Sequence, residues 1–277
     1  MDFFTKLVEI ANTSMTTPTN YGWFHLMWIG IVIVASVLMC VFFKNVSDRT
    51  VRIICFVFWI TIVLFEIYKQ FTFAYEVSDD SVVFDYAWYI FPFQLCSSPL
   101  YILPLVAFLP DGRIRDAATT FMIAFSIFGG ICVYIFPNDV FCATLGVNIQ
   151  TMYHHGVQIV SGVFLAARYR EKLNIKYFLK GAVVFAIMMA VAIILNELGH
   201  SWLVAGGHDD TFNMFYISRF YPCTLPVLSM IYPLVPYPVF VAIYAVGFSI
   251  ASIIIFYSAK GIVALSRGVA RLVKNAA

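Results

Sequence analysis

Seven stretches of roughly twenty residues pass almost without charge, at 24–43, 52–75, 86–109, 117–137, 149–168, 178–199 and 236–257. A run of about 20 apolar residues is long enough to cross a bilayer as a helix. Within hydrocarbon only helices and closed barrels satisfy their own backbone. The chain is therefore expected to be an all-α membrane protein: a single bundle of seven transmembrane helices over 24–257, between an outer N-terminal segment, 1–23, and a basic cytoplasmic tail, 258–277. Only 12% of the residues are charged, about half the share of a soluble domain. The balance of 17 basic against 15 acidic residues excludes the basic footprint of a nucleic-acid binder.

The basic residues are distributed unevenly. Fourteen of the 17 fall in 44–52, 110–116, 168–180 and the tail, all on one side of a seven-span bundle. The other side holds Lys6 and Arg219, and Lys69 lies within a span. Basic loops stay cytoplasmic, so the N-terminus is expected outside and the C-terminus inside. The loop 76–85, with Glu76, Asp79, Asp80 and Asp85, then lies outside. Residues 1–23 lack the basic start and short apolar core of a cleavable signal. The connection 200–235 is apolar in its latter part but cut by Pro222, Pro226 and Pro233; it is expected to fold back as a re-entrant or interfacial segment. No internal repeat is visible, which counts against an inverted-repeat transporter.

The six cysteines show no CxxC pair and no metal-ligand spacing. Cys142 and Cys223 share the outer connections, where a disulfide between them is one expectation. Cys40, Cys55 and Cys132 read as small buried apolar side chains.

Ionisable residues inside spans are costly and mark functional sites by default. With the orientation above, Glu66, Lys69 and Gln70, His154, His155 and Gln158, and Asn196, Glu197 and His200 all fall in the outer half, as does His25. Each also has a plainer account. Glu66 and Lys69, three apart on one helix face, neutralise each other. Glu197 and His200 sit where a helix meets the interface, and Arg219 pairs with Glu197 or Glu66. His154 and His155 differ by about 100° around a helix, so only one faces any given point, whereas His154 and Gln158 share a face.

The segment FPFQLCSSPLY, 91–101, interrupts the third run. On a helix, Pro92, Pro99 and Pro104 would free the carbonyls of Trp88, Leu95 and Leu100. Such breaks persist at membrane depth only where protein or a wet cavity re-satisfies the backbone. Cys96 lies among them, with Gln94, Ser97 and Ser98 as nearby donors. A thiol becomes a nucleophile when a base takes its proton, and histidine is the usual base.

At these residues the chain resembles the YwaF-type integral membrane proteins of bacteria, whose vertebrate relatives include a transmembrane acyltransferase that remodels ether phospholipids. The matching pieces are FQLCSSPLYILP at 93–104, HHG at 154–156, N-MFYISRFYP-TLPVL at 213–228 and PYPVF at 236–240. The resemblance runs from residue 23 to about 257. It implies that Cys96 carries an acyl thioester and that His154, or alternatively His155, assists. At fold level the chain is also similar to small multispan lipid hydrolases that use a threonine and a histidine within the membrane.

The function expected is therefore that of a lipid acyltransferase or lipid hydrolase, in a bacterial cell membrane, taking a membrane lipid as substrate from the outer leaflet. In this reading Glu66, Glu197 or Gln158 orients the imidazole, and Gln94, Ser97 or Ser98 donates to the oxyanion. No metal and no organic cofactor is required, and no protein partner is legible. The competing expectation is a small-solute binding or transport protein using Glu66, Lys69, Asn196 and Arg219. A retinal protein is excluded because 236–257 contains no lysine.

Overall fold

The computed structural model describes residues 3–78, 81–137 and 140–276, with side chains described as far as Gly261. Asp79 and Asp80 of the acidic loop lie outside the described residues, as do the side chains of Arg267, Arg271 and Lys274 in the tail. The fold is mostly helical. A short helix, α1 (Phe3–Ala11), precedes α2 (Trp23–Phe42) and α3 (Asp48–Thr72). After a β-hairpin come α4 (Pro99–Phe108), α5 (Arg113–Ile135), α6 (Leu145–Arg168), α7 (Ile175–Ala205) and α8 (Tyr237–Ala276).

Local sequence sets several of these boundaries. Ser47 caps α3 by accepting from the Thr50 N–H at 3.2 Å, and Asn174 caps α7 by accepting from Tyr177 at 3.1 Å; short oxygen-bearing side chains satisfy the orphan donors of a first turn. The hairpin, β1 (Tyr75–Ser78) against β2 (Ser81–Phe84), pairs Tyr75 with Phe84 and Val77 with Val82. It occupies the acidic stretch 76–85, where no strands were expected. Residues 1–23 are not a loose outer segment throughout, since α1 packs on this hairpin and Tyr68 donates to the carbonyl of Ala11 at 2.6 Å.

Among the described residues, five helices are long and apolar enough to cross a membrane: α2, α3, α5, α7 and the 237–261 portion of α8. Their exposed faces are apolar, with Ile31, Val34, Leu38 and Val41 on α2, Val183, Ile187, Ile194 and Leu198 on α7, and Val246, Ile250 and Ile254 on α8. A surface this apolar belongs in lipid, and the chain is an integral membrane protein.

Two of the seven expected spans depart from that pattern. The third, 86–109, is not a continuous helix. It consists of single turns at Trp88–Ile90 and Leu95–Ser97 followed by α4, and its apolar helical part, 95–108, is too short to span. The prolines cause the break, and the carbonyls they would free are all met. The Leu95 carbonyl accepts from the Ser98 hydroxyl at 2.6 Å, that of Leu100 from Trp59 Nε1 at 2.9 Å, and that of Trp88 from the Phe91 N–H at 3.2 Å. The fifth, α6, has the length but is more polar than a lipid-facing span. The reason is its position: α2, α3, α5 and α8 all pack on it. Most of its residues are buried, including Asn148, Gln150, His154, His155 and Gln158.

Between α7 and α8, the connection forms short turns at Met214–Tyr216, Leu228–Ile231 and Tyr232–Leu234. Phe215 and Tyr216 hold left-handed backbone at φ 57° and 56°, a conformation that side chains rarely adopt without outside support. Asn196 of α7 supplies it, accepting from the Met214 N–H at 2.6 Å and donating to its carbonyl at 3.0 Å. All six cysteines are free thiols, so the disulfide between Cys142 and Cys223 is not formed.

Candidate functional site

Residues 150, 154 and 158 follow one another at four-residue spacing and so share one face of α6. His154 Nε2 lies 2.8 Å from the backbone carbonyl oxygen of Cys96, and Gln158 Nε2 donates to the same oxygen. A carbonyl only accepts, so in the neutral ring His154 carries its proton on Nε2 and its lone pair on Nδ1. That Nδ1 is buried and has no hydrogen-bond partner among the described residues. His155 has the opposite tautomer, its Nδ1 donating to the Thr151 carbonyl of its own helix at 2.6 Å. Of the two histidines, His154 is the one that touches Cys96.

Cys96 sits in the turn before α4 and is partly exposed, while Ser97, Ser98, His154 and Gln158 around it are buried. The contact made by His154 is to the carbonyl; among the described residues no hydrogen bond joins Cys96 Sγ to either imidazole. Gln94 donates to the Asn213 carbonyl at 2.9 Å, and Ser98 spends its hydroxyl proton on Leu95. Besides His154 Nδ1, Gln94 Oε1, Gln158 Oε1 and Ser126 Oγ are buried without a partner. Ser126 closes a π-helical turn, Met122–Ser126, that interrupts α5 beside the Leu95–Ser97 turn. Such turns recur at functional sites. Among the described residues, unpartnered buried polar atoms thus gather around Cys96, and each calls for an account.

A second group lies one turn along α6. Glu66 is buried, pairs with Lys69 Nζ at 2.9 Å, and accepts from Gln70 at 2.6 Å and from Gln150 at 3.3 Å. Gln150 was not singled out from sequence, although its four-residue offset from His154 is the signal that would have found it.

The remaining expected residues go elsewhere. Asn196 holds Met214, and Glu197 pairs with Arg219 at 2.6 Å on an exposed surface. His200 stacks on Phe220 with ring centroids 3.7 Å apart. These residues fasten the 213–221 segment to α7 and do not join Cys96.

A model of the TMEM164 family matches residues 19–259. The chain belongs to the TMEM164 family. No curated protein and no solved structure matches it. The resemblance seen at 93–104 and 154–156 is thus met at the level of the TMEM164 family, whose match spans α2 to α8 and takes in both Cys96 and His154; it does not name the YwaF-type branch.

Proposed function

We propose that the protein is a membrane-embedded lipid acyltransferase or lipid hydrolase working through an acyl-cysteine at Cys96. The observation that carries this reading is the convergence of His154 and Gln158 on the Cys96 carbonyl, with Nδ1 of His154 left without a partner among the described residues. Family membership and the resemblance at 93–104 supply the acyl chemistry.

In the proposed reaction, rotation of the His154 ring or the Cys96 side chain brings the thiol to Nδ1. The thiol proton passes to the imidazole and Sγ attacks the ester carbonyl of a lipid. Collapse of the tetrahedral adduct breaks the ester C–O bond, and the imidazolium returns the proton to the departing lysolipid oxygen. A lysolipid hydroxyl or water then gives its proton to His154 and attacks the thioester, releasing the acyl group and restoring the thiol. Gln158 holds the Cys96 backbone. With Gln94 and Ser98 committed to carbonyls, Ser97 is the remaining donor for the oxyanion. The asymmetry of basic residues favours an outside N-terminus, and in this reading the substrate enters laterally from the outer leaflet. The polar α6 and the broken 86–109 segment complete the bundle.

The test is mass spectrometry of the full-length protein after incubation with phospholipid vesicles. An acyl group labile to hydroxylamine is expected on Cys96, and Cys96→Ala is expected to abolish both adduct and turnover. Full acyl transfer by Cys96→Ala would sink the reading.

A further inference from the structure

At the hairpin end of the bundle, the segment after β2 and the end of α7 with its following loop enclose a cleft of about 520 Å³. Ligand clefts run roughly 300–1,000 Å³. Its walls include Tyr86, Trp88, Trp202, Asp85, Asp209 and Asp210. The rings stand at steep angles to one another. Trp88 meets Trp202 at 4.4 Å and 63°, and Tyr86 meets Trp88 at 4.9 Å and 78°. They therefore form a corner of ring faces instead of a closed stack. The two halves of the cleft are tied together, because Asp210 Oδ2 accepts from the Trp88 N–H at 2.6 Å.

The chemistry of this lining selects its ligand. Among the described residues, three carboxylates line the cleft and neither lysine nor arginine does; His208, stacked on Trp202 at 5.4 Å, is the only nitrogen base of that lining. Anions are repelled. A metal ion requires several ligands converging within a tight shell, and no such group of His, Cys, Asp or Glu occurs among the described residues. Aromatic faces combined with diffuse negative charge instead suit a bulky, weakly hydrated cation.

We infer that this cleft binds an organic ammonium group, carried either by a free solute or by a lipid headgroup. The binding is independent of the Cys96 reaction, since none of the lining residues belongs to that site.

The inference is tested by isothermal titration calorimetry on the full-length protein in maltoside micelles. Tetramethylammonium chloride is titrated against potassium chloride at matched ionic strength. Saturable binding of tetramethylammonium, absent for potassium, is expected. Trp202→Leu and Asp209→Asn should each weaken it by about 3- to 30-fold, with Trp202→Phe retaining most of the affinity and Cys96→Ala all of it. Asp209→Asn alters an exposed loop and keeps the test open should Trp202→Leu unfold. Short-chain phosphatidylcholine, compared with phosphatidylglycerol below micelle formation, separates the sources. At least tenfold tighter binding than tetramethylammonium assigns a lipid headgroup, and equal binding assigns a free solute. Potassium matching tetramethylammonium, or undiminished affinity in both Trp202→Leu and Asp209→Asn, overturns the inference.

Discussion

His154 donates from Nε2 to the carbonyl oxygen of Cys96 at 2.8 Å, while the adjacent His155 donates from Nδ1 to its own helix. Two neighbouring imidazoles thus hold opposite tautomers, and only that of His154 contacts the cysteine segment. His154→Gln is therefore expected to lower the rate of Cys96 acylation by about 10²- to 10⁴-fold, the usual worth of a general base. His155→Gln should change it by less than about tenfold on the same basis. Rates of thioester formation followed by mass spectrometry decide between them; equal losses in both variants would contradict the assignment.

Helix α4, which follows the turn bearing Cys96, takes a donor from α3. Trp59 Nε1 bonds to the Leu100 carbonyl that Pro104 would otherwise leave without a partner. Trp59→Phe should cost about 1–3 kcal/mol, the penalty of an unmet buried acceptor. Pro104→Ala restores an N–H four residues along, so the same Trp59→Phe change should cost less in that background. A double-mutant cycle by denaturant unfolding in detergent measures the coupling. Strict additivity would remove this account of the break.

At the opposite end, Arg115 is 4% exposed and joins three elements and the end of a fourth. It bonds to the Val106 carbonyl, to Asp48, to Asp111 and to the Tyr169 hydroxyl. Arg115→Met should destabilise by about 1–3 kcal/mol, because the Val106 carbonyl loses its donor while Asp48 keeps Arg52 and Tyr169. Burial pushes Tyr169 up to about 12, opposed by Arg115 and reinforced by Asp48. The folded chain thus holds this proton more tightly than the unfolded chain. The contribution of Tyr169 is full below about pH 10 and fades as pH rises toward 12. Melting curves of the native protein and Tyr169→Phe should accordingly differ at pH 8 and converge near pH 12.

Glycines on α7 and α8 make a matched pair. A Cβ on Gly181 would lie 2.8 Å from the Phe121 nitrogen and 2.9 Å from the Thr120 carbonyl carbon, both backbone atoms that cannot yield. Gly181→Ala should force α7 from α5 and destabilise by about 1–3 kcal/mol, as overpacking does. Gly247 has open space around it, and Gly247→Ala should be neutral or stabilising by up to about 1 kcal/mol through helix propensity. Thermal unfolding in detergent reads both.

How much of this was legible follows from what one dimension can encode. Hydrophobic runs placed α2, α3, α5, α7 and the start of α8 within about six residues but missed that α8 continues through the tail to Ala276; the prolines of 92–104 announced a break in the third run. Depth also put Cys96, His154, Gln158, Glu66 and Lys69 at a similar level. Position around the bundle was not encoded. Asn196 and Glu197 were expected at that depth but face the 213–221 segment, to which Arg219 belongs, so counting along the membrane normal grouped residues that the fold keeps apart. The cleft of Trp88, Trp202 and Asp210 was invisible for the same reason: the Trp88–Asp210 bond joins residues 122 positions apart. Nor did hydropathy alone explain α6, which can be polar because protein, and not lipid, surrounds it.

The two donors to the Cys96 carbonyl come from residues 58 and 62 positions later in the chain. During synthesis the cysteine turn therefore leaves the ribosome before the side chains that complete it exist. Its helical remainder is too short to be committed to the bilayer by hydropathy. The turn must wait, wet or held by other protein, until α6 arrives. Synthesis thus imposes one order: the Cys96 carbonyl meets its two donors only after α6 has been made.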